Sequence, residues 1–567
     1  MTQPIDRFIP NTHIGYFTME IALRNEIHTY SGGLGVLAGD TARSCADLQI
    51  PVVFVTLASR QGYLRQEIDS SGRQIEHPDP WQPSDWVTPL EAMVAVKLER
   101  RTVWIKPWLY VLNSPGGGAV PVILLDTNLE ENTPADREIT DFLYGDGESY
   151  RLRQEAVLGI GGARILQALG FEIKTYHMNE GHAALLAVEL LRRHRRIPGH
   201  LDAPGIIYDA DPVHQSCIFT THTPVESGHD KFPYPLVEQV LGDFMEPEEL
   251  KRYAGTDACN MTNLALNLSG YVNGVARSHA ETARHLYPGY QVRAITNGIH
   301  TATWTHQAFA KLYSTHFPHW SHEPEALIRA DQLADSDIWS AHVEAKDDLI
   351  TLVKKTTGVT MDAGIPIIGF ARRMTGYKRP ELLFTDIERL RAIHRGNRFQ
   401  VVWAGKAHMN DAEGKRLIEH INTHICEVGS EIRMAFLPNY DLELAKALVT
   451  GADIWLNTPL PPLEASGTSG MKAAANGVLN LSVLDGWWIE GCIEDVTGWA
   501  IGDEAPTGMD SDHAEALLRK LEGNVLPLYY GDRTRWIWMM KQSISKIASF
   551  FNSQRMMRRY ATEAYLR

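Results

Sequence analysis

The stretch Pro461-Pro462-Leu463-Glu464-Ala465-Ser466-Gly467-Thr468-Ser469-Gly470-Met471-Lys472 gathers small residues and hydroxyls ahead of a lysine, then runs into AAANGVLNLSVLDGWWIEG. A loop of this kind at the start of a helix turns backbone amides and hydroxyls towards an anion. Lys472 lies one turn inside, where an amine beside a bound phosphate is placed to condense with an aldehyde to a Schiff base. A second segment, Ala371-Arg372-Arg373-Met374-Thr375-Gly376-Tyr377-Lys378-Arg379, follows strand-like PIIGF and sets four cations at a strand's carboxyl end. Ligands of open α/β sheets bind at such ends, and Arg as a planar fork with Lys as a point charge suits phosphate. A solvated basic loop is the plain alternative. The third segment is Ser31-Gly32-Gly33-Leu34-Gly35, ahead of a helix-like run from Val36 to Leu48. Its glycines let backbone approach an anion closely, although glycine-rich turns are often only tight turns.

Short apolar runs able to carry these loops recur, each followed by an amphipathic stretch. They are PVVFVTLAS from Pro51, PVILLD from Pro121, PIIGFA from Pro366, FQVVWAG from Phe399, IRMAFLP from Ile432 and DIWLNTP from Asp453. Alternating strand and helix gives an α/β class, with two doubly wound domains facing a cleft lined by the carboxyl ends of both sheets. The charged, helical text between Glu323 and Met361 places a boundary near 345. Three units are expected: an N-terminal α/β domain over 1–345, a C-terminal one over 346–534 and a helical tail over 535–567. The tail's TRWIWMMKQSISKIASFF needs a partner surface, and crossing back onto the first domain would provide one.

The 567 residues carry 54 Lys and Arg against 69 Asp and Glu, a net charge of −15. That balance disfavours nucleic acid or an anionic membrane as the main partner and requires any anion to be held by a local pocket. Cys45, Cys217, Cys259, Cys426 and Cys492 are scattered with no Cys-x-x-Cys pair, so neither a metal site nor redox chemistry is indicated. Reduced thiols, no apolar run of the roughly 20 residues needed to span a bilayer and no signal-peptide pattern point to a cytoplasmic protein.

The Lys472 stretch resembles the pyridoxal phosphate signature of the α-glucan phosphorylases, the family of glycogen, starch and maltodextrin phosphorylases. Further landmarks follow in family order. Gly32-Gly33-Leu34-Gly35 is similar to its glycine loop, and Asn179-Glu180-Gly181-His182 to its Asn-Asp-Thr-His turn. Thr221-His222-Thr223 is similar to its Asn-His-Thr, Asn273-Gly274-Val275-Ala276 to its Val-Asn-Gly-Val-Ala, and Arg373 with Tyr377-Lys378-Arg379 to its basic loop.

The resemblance implies a two-domain fold of the GT-B type and retaining phosphorolysis of the non-reducing end of an α-1,4-glucan or maltodextrin, with inorganic phosphate, to glucose 1-phosphate. Pyridoxal 5'-phosphate would sit on Lys472, its phosphate rather than its ring working beside the substrate phosphate. It implies that Gly33, Arg373 and Lys378 hold the substrate phosphate, with Leu34 beside them and Arg372 where the family usually has lysine. Tyr440, Thr468, Ser469 and Gly470 would line the cofactor phosphate. His182, Asn273, Glu464, Ser466 and Gly467 would hold the terminal glucose, and Lys472, Arg373, Lys378 and His182 would form the catalytic set. A proton passing between two phosphates needs no carboxylate pair, and cations must separate them. A homodimer is the family tendency.

Two departures stand out: Thr-Ser-Gly-Met-Lys replaces the family's Thr-Gly-Asn-Met-Lys, and Asp441 stands where long members commonly have arginine. The chain begins close to its glycine loop, so the resemblance is to a short form without the N-terminal regulatory extension, and activation by AMP or phosphorylation is not expected. Other readings are weaker. Asp146, Glu148 and Glu155 would suit a two-carboxylate hydrolase but read as helix-dipole partners, and Trp487-Trp488 could stack on a sugar or belong to the core. A nucleotide-sugar glucosyltransferase of the glycogen synthase type shares the architecture and a similar glycine loop, but has no use for Lys472. An inactive glucan-binding relative would not need Arg373, Lys378 and Lys472 together.

Overall fold

The computed structural model describes residues 3–196, 207–502 and 510–566. All six apolar runs form strands: Val52–Leu57, Ala119–Asp126, Ile367–Ala371, Gln400–Ala404, Met434–Leu437 and Ile454–Asn457. Most are buried at every position, as strands covered on both faces must be.

The first sheet has ten strands. Its parallel part runs Val292–Ala294, Tyr271–Gly274, Cys217–Thr220, Thr175–Asn179, Ile14–Thr18, Val52–Leu57 and Ala119–Asp126 in spatial order. Arg101–Asn113 then adds an antiparallel edge. The second sheet is six parallel strands, ordered Met434–Leu437, Gln400–Ala404, Ile367–Ala371, Ile454–Asn457, Leu479–Val483 and Gly498–Ile501. The strand order reverses between 14–18 and 175–179 in the first sheet and between 367–371 and 454–457 in the second. A crevice opens at the carboxyl ends where an open sheet reverses its order, and the basic loop leaves the second sheet at that point. Two doubly wound α/β lobes of the GT-B type result.

Acidic and amide side chains start several of the helices. Asp386, Asp411, Asp441 and Asp532 each accept the amide three residues on, removing one unpaired donor at the helix start.

The expected division at 345 needs correction. Helix Asp335–Thr357 passes through it unbroken, and Ile299, Trp304, Phe309, Tyr313 and Leu327 already pack into the core of the second sheet. The first sheet ends at Ala294, so the chain changes lobes between 295 and 299. The tail serves both lobes. Trp536, Ile537, Met540 and Ile544 pack in the second core, whereas Met556, Met557, Tyr560 and Ala564 join a cluster on the first sheet.

A two-stranded hairpin, Arg65–Ile68 paired with Gln74–His77, lies between the lobes and carries contacts to the second. Among the described residues no helix is long and apolar enough to cross a membrane, and no cluster of His, Cys, Asp or Glu is arranged to hold a metal ion.

Candidate active site

On the second lobe, the loop after Ile367–Ala371 and the loop before helix Ser469–Ala474 meet at Glu464. Its Oε2 accepts from Arg372 and, at 2.5 Å, from Lys378 Nζ. Burial alone would raise this carboxyl, but the two cations outweigh it and hold it at about 2. Both bonds end on the same oxygen, and among the described residues no hydrogen bond to Oε1 is formed. Asp485 accepts the Glu464 amide at 2.8 Å and the Gly486 amide at 2.8 Å. Burial, only partly relieved by those amides and reinforced by the nearby Glu464 carboxylate, pushes Asp485 up to about 7.

Lys472 is buried, and burial lowers its amine to about 8, the carboxylate of Asp40 only partly offsetting this. Its Nζ lies 3.8 Å from the centre of the Trp304 ring, and among the described residues it donates no hydrogen bond. The loop before it is closely shaped. Gly467 has φ +87°, and a Cβ at Gly470 would fall 2.4 Å from Asn480 Oδ1. Thr468 precedes the first helical residue without capping it by its side chain, and Ser469 Oγ accepts from Trp455 Nε1 at 3.1 Å. Tyr440 is enclosed, and burial raises its phenol above the ordinary value.

Arg373 opens into the cleft. Burial opposes its charge, but Tyr377, Tyr63 and Glu20 more than compensate, so the guanidinium is held above its usual value. Glu20 belongs to the first lobe and sits against the glycine loop. Its Oε2 accepts from the amides of Ser31 and Gly32 at 2.6 and 3.1 Å, and its Oε1 from Tyr144 Oη at 2.9 Å. Gly33 and Leu34 then occupy the first turn of helix Gly33–Asp47, where amides have no intrahelical acceptor. The same helix reaches the other lobe, since Asp40 accepts from Trp304 Nε1 at 2.8 Å.

His182 lies beside this floor, its ring 5.6 Å from that of Tyr144 and its Nε2 3.5 Å from Asp230. Burial and the Arg151 cation lower it to about 4, so it is neutral near pH 7. His222 is neutral too, lowered by burial to about 3, with its ring on Asn179 at 2.7 Å and its amide on Glu180 at 2.7 Å.

One expected ligand is displaced. Asn273 is fully buried, its Oδ1 accepting from Thr220 Oγ1 at 2.9 Å and its Nδ2 donating to Tyr560 Oη at 2.8 Å. It ties the first sheet to the tail and turns no free polar atom to a sugar. Asn297 instead has a buried Oδ1 without a partner. Trp487 and Trp488 are core residues, Trp487 packing on Phe551 at 5.1 Å. Glu155 is enclosed beside Arg151 and Asp230, and burial raises it well above the usual carboxyl range. Asp441 caps a helix and accepts from Asn25 of the first lobe at 3.2 Å.

Sequence reading passed over Glu20, Tyr144, Trp304, Asn297 and Asp485, none of which lies in a charged or glycine-rich motif of its own. Their common signal is position, each lying on or just beyond a segment that approaches the cleft.

A pyridoxal phosphate group fits the donors present. Arg372 Nη1, Thr375 Oγ1 and Ser466 Oγ are buried without partners, and unpaired buried donors of this kind mark a binding surface. Burial lowers the amine of Lys472, six residues after Ser466, to about 8.

Fold and cleft together define a two-lobed α/β protein of the GT-B type. Residues 247–499 match the carbohydrate phosphorylase family. Maltodextrin phosphorylase of Thermococcus litoralis is 38% identical, over 97% of this chain and 70% of that protein. Glycogen phosphorylase of Aquifex aeolicus is 34% identical over 97% and 86%, and that of Mycobacterium tuberculosis 32% over 98% and 71%. The chain belongs to the carbohydrate phosphorylase family.

Proposed function

We propose that this protein is an α-1,4-glucan phosphorylase that carries pyridoxal 5'-phosphate on Lys472 and releases glucose 1-phosphate from the non-reducing end with retention. The observation that carries this reading is the buried Lys472 amine, lowered to about 8, at the end of a loop whose Ser466 Oγ is buried without a partner among the described residues. The bound cofactor would supply a phosphate that exchanges a proton with the substrate phosphate.

The chain's own residues supply the rest. Arg373 and Lys378 hold the substrate phosphate against the first-turn amides of Gly33 and Leu34, and their charge lets two phosphates lie side by side. Tyr440, Thr468, Ser469 and Gly470 surround the cofactor phosphate, with Arg372 on the substrate side. Glu464 keeps Oε2 on its cations and presents Oε1 to a sugar hydroxyl, with Ser466 and Gly467 beside it. His182, being neutral, orients the sugar as a hydrogen-bond partner without adding charge against the developing glucosyl cation. The closely packed walls exclude water, which favours transfer to phosphate over hydrolysis.

A cytoplasmic setting accords with the free cysteines Cys45, Cys217, Cys259, Cys426 and Cys492. The test is borohydride reduction of purified protein followed by peptide mass analysis, with phosphorolysis of maltodextrin measured in parallel. One pyridoxyl group on Lys472 and phosphate-dependent glucose 1-phosphate are expected. An active protein with no such modification would overturn the cofactor assignment.

A further inference from the structure

The hairpin 65–77 belongs to the first lobe, yet two of its side chains are buried in the second. Gln66 and Gln74 are 3% and 7% exposed. Gln66 Oε1 accepts the Asn439 amide at 2.9 Å, and the Gln66 amide donates back to Asn439 Oδ1 at 3.1 Å. Gln66 Nε2 donates to the Gly405 carbonyl and to Gln74 Oε1, both at 2.8 Å. Every polar atom of this amide therefore has a partner, and two of the partners are backbone groups of the other lobe.

Those two points are not arbitrary. Asn439 directly precedes Tyr440 and has φ +57°, a left-handed conformation that costs a non-glycine residue free energy unless its surroundings hold it. The reciprocal bonds to Gln66 are what hold it. Gly405 abuts the basic loop, because a Cβ there would fall 2.0 Å from the Arg372 carbonyl oxygen. Next to it, the Lys406 carbonyl accepts the Met374 amide at 3.0 Å. One side chain thus fixes the loop of Tyr440 and the loop of Arg372 and Arg373 relative to each other.

Gln74 differs in its partner. It exchanges two bonds with Ala407, at 2.9 and 3.0 Å, and its Oε1 is also the acceptor for Gln66 Nε2.

We infer that Gln66 is a positioning residue for the phosphate-binding groups, reaching from the opposite lobe to set the spacing between Tyr440 and the Arg372–Arg373 pair. The inference rests on the proposed function, since it assigns those groups to the two phosphates. Its consequence is that the hairpin must be seated on the second lobe before the phosphate groups are in register.

The test compares Gln66→Met, which keeps volume and removes the side-chain amide, with Arg73→Ala, which removes a contact of the same hairpin to Glu419 without touching Gln66. Asn439→Gly, which tolerates the left-handed backbone while losing one bond to Gln66, serves if Gln66→Met does not fold. Gln66→Met is expected to raise the phosphate KM about tenfold, as the loss of one to two buried hydrogen bonds would, and to speed cofactor release. The glucan KM should stay near that of the wild type. Asn439→Gly should move the same constants by less, and Arg73→Ala should leave them near those of the wild type. Equal shifts in Gln66→Met and Arg73→Ala, or none in Gln66→Met, overturn the assignment while the proposed function stands. A wild type that neither holds pyridoxal phosphate nor uses phosphate overturns both.

Discussion

Lys472 and Trp304 are stacked, with Nζ 3.8 Å from the ring centre. A π face favours an ammonium, and burial disfavours one. The amine is lowered to about 8, so burial prevails. Below about 8 the amine is mostly charged and cannot attack an aldehyde. Attachment of pyridoxal phosphate to cofactor-stripped protein is therefore expected to quicken as pH rises and to level off above about 8, followed by absorbance. A rate independent of pH between about 6 and 9 would contradict this ordering of the two effects.

Arg373→Ala and Lys378→Ala should each raise the phosphate KM by roughly ten- to hundredfold, since a charge-assisted hydrogen bond contributes about 1.5–3 kcal/mol. The glucan KM should move far less. Kinetics with phosphate and maltodextrin varied separately decide the matter, and an unchanged phosphate KM in both variants would remove these residues from the site.

Glu464 gives a prediction about acid stability. Its carboxyl falls from an ordinary 4.5 to about 2, so the folded protein favours the carboxylate more than the unfolded chain does. That contribution is complete above about pH 4.5 and is lost as pH falls towards 2. Glu464→Gln should thus be less stable than wild type at neutral pH and lose less on acidification, with urea midpoints at pH 7 and about pH 4 as the measurement. Parallel curves for the two proteins would show that the Arg372 and Lys378 pairs add nothing to stability.

Asn273→Ala should lower stability by about 1–3 kcal/mol, because Thr220 and Tyr560 would each lose a buried partner. The glucan KM should remain that of the wild type. A large rise in that constant with stability intact would return Asn273 to the sugar site.

The strands and the basic loop were legible in the sequence because continuous apolar runs and clustered cations are local signals. PIIGF and the arginines after it lie within a few residues of each other, and the strand order then carries them to the crevice. Asn273 was misplaced because the partners that sequester it lie far away in the chain, at Thr220 and Tyr560. Glu20 and Trp304 were invisible for a related reason: an isolated acid and an isolated tryptophan acquire meaning only when the lobes meet. The boundary at 345 failed because a helical stretch was read as a linker, although Ile338, Ala341 and Leu349 on its apolar face are buried in the second core.

The chain passes between the lobes twice, and the two crossings lie side by side. The Ile299 amide donates to the Phe551 carbonyl at 3.0 Å, the Ser553 amide donates to the Ile299 carbonyl at 2.8 Å, and a Cβ at Gly298 would fall 2.2 Å from Asn552 O. The connection is a two-ply hinge. A double ply bends more readily across its width than it twists or slips sideways, so relative movement of the lobes would be confined to a swing about one short axis. The glycine loop on one lobe and the basic loop on the other would then part and meet along a single arc.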